Sequence, residues 1–206
     1  VFIGRIMTDV RAGQLIAASL HQAIQEVLPQ RLDFYEHWLQ GDRLPDRRGN
    51  LAQMTAVLGF LRTEGESYHQ VMSRAGQVAA TWTLEGLTPW RRQVAARFPP
   101  SLRARAALGT AADLVRTVHG VSRVSRRVRR RQAELGVTGS LFCTVREVPP
   151  APLCGFYLAA TLELLSGFNV PAHGRLAGCR AIGGERCVMI LDWSGSQAVP
   201  DPAVAA

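Results

Sequence analysis

Apolar positions recur at helical spacing through the first part of the chain and turn strand-like only near its end. Leu15, Ile16, Leu20, Ala23, Ile24 and Val27 predict an amphipathic helix over 12–28, stopped by Pro29. The aromatic segment LDFYEHWLQ follows, with Gly41 as a C-cap and a polar loop over 41–50. Asn50 is placed to N-cap a helix whose apolar face is Leu51, Met54, Leu58 and Leu61. Residues 65–85 repeat the pattern with Tyr68, Val71, Met72, Ala75, Ala79 and Trp82. Ala75, Gly76, Ala79 and Ala80 would let another helix approach closely. Glu64 and Glu66 flank Gly65 at this helix start, where carboxylates suit the helix dipole. A short helix or turn is expected around TPWRRQVAARFPP, and a long Arg-rich helical region over 101–133, interruptible at Gly109 and Gly120.

The pattern then changes. Leu141, Cys143 and Val145 alternate with Phe142, Thr144 and Arg146, which predicts a strand. Pro149, Pro150 and Pro152 interrupt it. CGFYLAATLELLSGF reads as a strongly apolar helix ending at Gly167, and 171–182 and 186–193 as two strands joined across Gly183-Gly184. The expected fold class is therefore α+β: N-terminal helices packed with a small antiparallel sheet, the sheet built on a C-terminal β-α-β-β unit. Residues 1–193 are read as one domain, and the tail 194–206, which lacks a core signal, as disordered.

At 206 residues, 47% of them apolar, the chain can bury one sizeable core. No apolar run reaches the roughly 18 residues of a membrane span, and the start lacks the pattern of a secretory signal. Four cysteines in such a chain do not make a disulfide scaffold; reduced thiols and a cytoplasmic location are expected. Net charge is +8, and every one of the 24 basic residues is arginine, which keeps its charge and grips carboxylate or phosphate bidentately.

Cys154 leads the apolar helix, and Cys179 and Cys187 flank the Gly-Gly turn. Three thiols so placed suit a soft metal such as zinc, with His173 or Glu185 as candidate fourth ligand; reduced core cysteines and a disulfide are the other readings. Register discriminates between them. A strict two-residue turn puts Cys179 and Cys187 on opposite sheet faces, and a three-residue or bulged loop centred on Gly183 puts them on one. A shared metal needs the second arrangement.

The segment from about Gly139 to Trp193 resembles the four-vinyl-reductase-type domain, of the superfamily that holds TRAPP vesicle-tethering subunits and haem nitric-oxide-binding domains. The resemblance rests on a strand, a Cys-led helix and a hairpin in which Cys179, Ala181, Gly183 and Cys187 occupy the pattern Cys-x-Ala-x-Gly-x-x-x-Cys. It implies helices on an antiparallel sheet, a homodimer and an enclosed pocket for an apolar molecule. In aromatic-sensing relatives it also implies zinc on thiols matching Cys154, Cys179 and Cys187, plus a Glu whose position here is Leu176. The Tyr-x-Ser-x-Arg haem clamp is missing from the sequence.

Arg123, Arg126, Arg127, Arg129, Arg130 and Arg131 crowd nine residues. On a helix, Val118, Val121, Val124 and Val128 would make an apolar stripe, with Arg123, Arg127 and Arg130 on a docking face. An anionic membrane or an acidic protein would suit that face, as would plain solvation. Nucleic acid is disfavoured because no aromatics are interleaved. His69, Met72, Trp82, Phe142, Phe156 and Tyr157 are candidates to line a ligand cavity, or ordinary core. The chain has no P-loop, no dinucleotide fingerprint and no G-x-S-x-G nucleophile turn. The functional expectation is non-catalytic binding of a lipid, aromatic hydrocarbon or tetrapyrrole-like molecule. The alternatives are a part in tetrapyrrole vinyl reduction and a TRAPP-like scaffold.

Overall fold

The computed structural model describes residues 8–39, 47–87, 98–145 and 147–193. The expected turn at 88–97, the Gly41 cap, Arg146 and the tail 194–206 lie outside them.

Helix α1, Thr8–Val27, buries Ile16, Leu20, Ala23 and Ile24, and Pro29 opens a 3-10 turn that ends it. Helix α2 spans Leu32–Leu39 and α3 Arg47–Arg62. Asn50 therefore lies inside α3 rather than capping it. Helix α4, Glu66–Glu85, starts at Gly65 and buries Tyr68, Val71, Met72, Ala75 and Ala79. Glu64 caps nothing: it accepts hydrogen bonds from Arg31 Nε (3.1 Å) and the Tyr35 hydroxyl (3.0 Å). The carboxylate and burial both push the Tyr35 pKa up, burial most.

Helix α5, Pro100–Val118, begins with proline at its first turn, where the missing N–H is not needed. It ends at Val118, short of the predicted Arg-rich helix. Arg123–Arg129 is instead strand β1, and Gln132–Thr138 is β2, in register from Arg123↔Thr138 to Arg129↔Gln132. The reason lies in β2: Ala133, Leu135 and Val137 alternate with Gln132, Glu134 and Thr138, and bury one face of a sheet. Val124 and Val128, four apart, fit a strand face as well as a helix face, and they follow β2 onto the core.

Arg130 and Arg131 turn this hairpin, and Arg130 stands at φ 44°, in the left-handed region that costs a side-chain-bearing residue energy. Arg130→Gly is expected to raise unfolding stability by about 1 kcal/mol, read as a higher urea midpoint at unchanged m. An unchanged or lower midpoint would contradict the strained turn.

Helix α6, Gly155–Gly167, follows, then β3, His173–Gly178, and β4, Cys187–Asp192. The antiparallel sheet runs β1-β2-β4-β3, so the C-terminal unit is β-β-α-β-β. Helix α6 is buried on most sides because it packs among α4, α5 and β3. The fold is α+β, helices largely before strands. No helix among the described residues is long and apolar enough to cross a membrane.

Candidate metal centre and aromatic cluster

Four sulfurs meet at one end of the sheet. Cys143, Cys154, Cys179 and Cys187 are all buried, with ligand atoms within 4.8 Å of one another. The closest pairs are Cys154–Cys187 at 2.8 Å and Cys143–Cys154 at 3.0 Å; Cys143–Cys187 is 3.3 Å, Cys154–Cys179 3.4 Å and Cys143–Cys179 3.5 Å.

Each thiol is delivered by a different local device. Leu141, Phe142 and Cys143 are consecutive and all buried, which no alternating strand permits; a 3-10 turn folds all three inward. This corrects the predicted strand there and supplies the fourth sulfur. Cys154 is the N-cap residue of α6, so the positive end of that helix faces the cluster. Leu176 pairs with Met189 and Gly178 with Val188, so β3 carries one extra residue, Ala177, against β4. That bulge turns Cys179 onto the face of Cys187. A 3-10 turn, Arg180–Ile182, then leads into Gly183 at φ 92°, and the Gly184 N–H returns to the Cys179 carbonyl at 3.0 Å. Cys179 and Cys187 thus share a face, as a common site requires, but through an extra residue in β3 and a 3-10 turn rather than a three-residue or bulged loop centred on Gly183.

The helical half clamps these loops. Arg62 of α3 donates to the carbonyls of Phe142 (3.0 Å) and Thr144 (3.1 Å), bracketing Cys143. The Tyr68 hydroxyl of α4 donates to the Leu153 carbonyl at 3.2 Å, beside Cys154. Tyr68 has its pKa pushed up, chiefly by burial.

Four buried thiols cannot all ionise side by side, so they split. Hydrogen bonding from Cys143, then from Cys154 and Cys187, holds Cys179 well below the usual thiol range, while hydrogen bonding with Cys143 raises Cys154. The backbone amides of Leu153 and Arg180 also bond the sulfurs of Cys179 and Cys187. Tetrahedral zinc with Zn–S of about 2.3 Å needs sulfur edges of about 3.8 Å, so these five pairs would open by about 0.3 to 1.0 Å around an ion. The donor set, its closeness and its amide hydrogen bonds fit a tetrathiolate metal site. Among the described residues neither expected fourth ligand joins it: His173 is exposed opposite Asp192 on β3, and Glu185 is exposed in the hairpin loop. Cys143 was legible as a residue but not as a ligand, because its segment read as a strand far from the hairpin.

Beside the sulfurs, Phe142, Phe156 and Tyr157 form one aromatic cluster, with centroids 4.9 Å apart for Phe142–Phe156 and Phe142–Tyr157 and 5.8 Å for Phe156–Tyr157. Met72 is fully buried on the adjoining α4. His69 is half-buried, its ring edge-on to Tyr68 at 5.3 Å. Trp82 is half-buried and ten residues beyond Met72, about 15 Å along the helix, so it does not converge with the others. The sequence reading missed two hydroxyls. Those of Tyr157 and Ser140 are buried without a well-formed hydrogen bond, although buried polar groups are nearly always paired. Burial raises the Tyr157 pKa, and loose hydrogen bonding with Ser140 and Ser122 offsets this in part. Ser122 and His119 are engaged with the Gly139 carbonyl, at 2.9 and 2.8 Å. Arg123 and Arg127 share the outer sheet face, and Arg130 sits in the turn, rather than all three lying along a helix.

No family model matches the chain, and no curated protein matches it in sequence. Solved structures do. A trafficking protein particle complex subunit 3 from Naegleria fowleri, covalently bound to palmitic acid, superposes with TM-score 0.55 at 11% identity, covering 74% of this chain and 100% of its own. An H-NOX protein from S. oneidensis gives TM-score 0.51 at 13% identity, covering 89% and 97%. The phenol-responsive sensory domain of the transcription activator PoxR gives 0.41 at 16%, covering 69% and 73%. The chain thus has the fold shared by TRAPP subunits and H-NOX proteins.

Proposed function

We propose that this chain is a zinc-stapled, non-catalytic domain of the four-vinyl-reductase type that binds an apolar small molecule bearing one polar group. The observation that carries the ligand reading is the aromatic cluster of Phe142, Phe156 and Tyr157, with the buried Tyr157 and Ser140 hydroxyls beside it that reach each other but lack a well-formed hydrogen bond. An aromatic wall with one or two open polar groups is how a protein holds and orients such a ligand. The TRAPP subunit of the same fold carries palmitic acid, which supports an apolar ligand here. Met72 and His69 extend the wall along α4, and Trp82 is a more distant candidate.

Zinc, held by Cys143, Cys154, Cys179 and Cys187, would have all four positions filled by protein and would supply cross-linking rather than a reactive site. These residues bind and stay fixed: the positive end of α6 and the amides of Leu153 and Arg180 offset the charge of the tetrathiolate. The domain then serves as a carrier or sensor, as a homodimer in the cytoplasm.

Native mass spectrometry of freshly purified chain, followed by denaturing extraction, tests for a co-purified ligand. Titration with 1-naphthol and with naphthalene tests the hydroxyls. Tyr157→Phe is expected to weaken naphthol about tenfold and naphthalene hardly at all, with the free protein no less stable. No extracted molecule together with no binding to either probe or to palmitate would overturn the reading.

A further inference from the structure

Strand β1 is an edge of the sheet: β2 pairs with one side of it, and no strand among the described residues pairs with the other. Alternate backbone N–H and C=O groups of an edge strand have no ladder partner. Charge on such an edge is common, but here it is both dense and uncompensated. Arg123, Arg126, Arg127, Arg129 and Arg130 have no acidic partner among the described residues. Glu134, opposite Arg127 in register, is taken by Arg186 at 2.8 Å. An arginine rather than a glycine stands at the hairpin tip, at φ 44° in the left-handed region.

The two sides of the strand differ. Arg123, Ser125, Arg127 and Arg129 point to the sheet's outer face, where a groove of about 180 Å³ is lined by Arg127, Arg129, Gln132, Ala133, Glu134 and Ile190. Val124 and Val128 point to the helix side, and Arg126 lies over Gly109 of α5. The α5 stripe containing Gly109 runs back through exposed Ala106 to Leu102, 46% exposed, at helical spacing. A strand added to β1 would thus meet arginines on one face and a ledge of small and apolar groups on the other.

We infer that β1 is a docking edge for an extended acidic segment of a partner protein, one in which carboxylate and apolar side chains alternate. The segment adds as a fifth strand, its backbone completing the ladder and its carboxylates lying along Arg123, Arg127 and Arg129. A second copy of this chain is a poor occupant, because antiparallel β1–β1 pairing sets arginines against arginines.

The probe is a fluorescent ten-residue peptide alternating Glu and Val. Anisotropy compares it with a block-scrambled peptide of the same composition and with one N-methylated at alternate amides. The alternating peptide is expected to bind at least tenfold tighter than either control. The charge-reversed variant R123E/R127E/R129E, checked for native far-UV circular dichroism and sedimentation, should lose that binding by at least tenfold. Equal binding of the scrambled or methylated peptide would reduce the contact to bulk charge and overturn strand addition. Tighter binding to phosphatidylglycerol vesicles or duplex DNA at the same salt would overturn the acidic segment as partner. Self-association that the triple variant alters would give the edge to a second copy and overturn it too.

Discussion

Cys143→Ser is expected to leave the protein without bound zinc and to lower its thermal midpoint by about 8–16 °C, from a loss of about 4 kcal/mol. The physical cause is the closed donor set. Three thiols remain near one another, but the fourth position passes to a weakly basic hydroxyl, and the 3-10 turn carrying residue 143 loses its link to the hairpin and to α6. Arg62 would still hold that turn through the Phe142 and Thr144 carbonyls, so loosening rather than global unfolding is expected. Metal content by mass spectrometry and melting by calorimetry give the two readouts. His173→Ala and Glu185→Ala should change neither. Full zinc retention by Cys143→Ser, or its loss in His173→Ala, would remove the tetrathiolate assignment.

Gly76→Ala is expected to destabilise the fold by about 3 kcal/mol, a large effect for one methyl group. A Cβ at residue 76 would lie 2.3 Å from the Phe156 carbonyl oxygen and 3.1 Å from the Ala160 nitrogen, both backbone atoms of α6. Backbone of a packed helix cannot swing aside as a side-chain end does. The helices α4 and α6 must separate, and contact is lost along their shared face and beneath the aromatic cluster. Gly59→Ala is the control. It sits in α3 with nothing within 4 Å of the added Cβ, so the same change should stabilise by about 0.5–1 kcal/mol through reduced chain entropy. Opposite signs in urea titrations would verify the close approach; a neutral Gly76→Ala would contradict it.

Much of this was legible in the chain. The small residues of α4 read correctly as a close-approach face, and the apolar faces of α1, α3 and α4 fell where their spacing put them. Helix α6 showed itself by apolar composition and its Gly167 end. The hairpin cysteines indicated a shared site once a bulge was allowed. The arginine run was not legible as a strand. Val124 and Val128 satisfy both periods, and Arg123, Arg126, Arg127 and Arg129 fall on both faces of the strand, which gives no burial signal. Gln132–Thr138 carries a clean two-residue alternation that assigns β2, and β1 is a strand because β2 pairs with it.

Local pattern determined what each segment had to bury: the helix faces, the inward residues of β2 and β4, and the need for a turn at Gly183-Gly184. Those are properties of a residue and its near neighbours, and sequence spacing expresses them directly. Tertiary structure decided which groups meet. Cys143 reaches Cys187 across 44 residues, Arg62 clamps a turn 80 residues away, and the Tyr157 and Ser140 hydroxyls are left with no well-formed hydrogen bond because helix, strand and turn close over them together. Such meetings depend on how elements pack, and a one-residue bulge at Ala177 was enough to bring the fourth sulfur's partners onto one face.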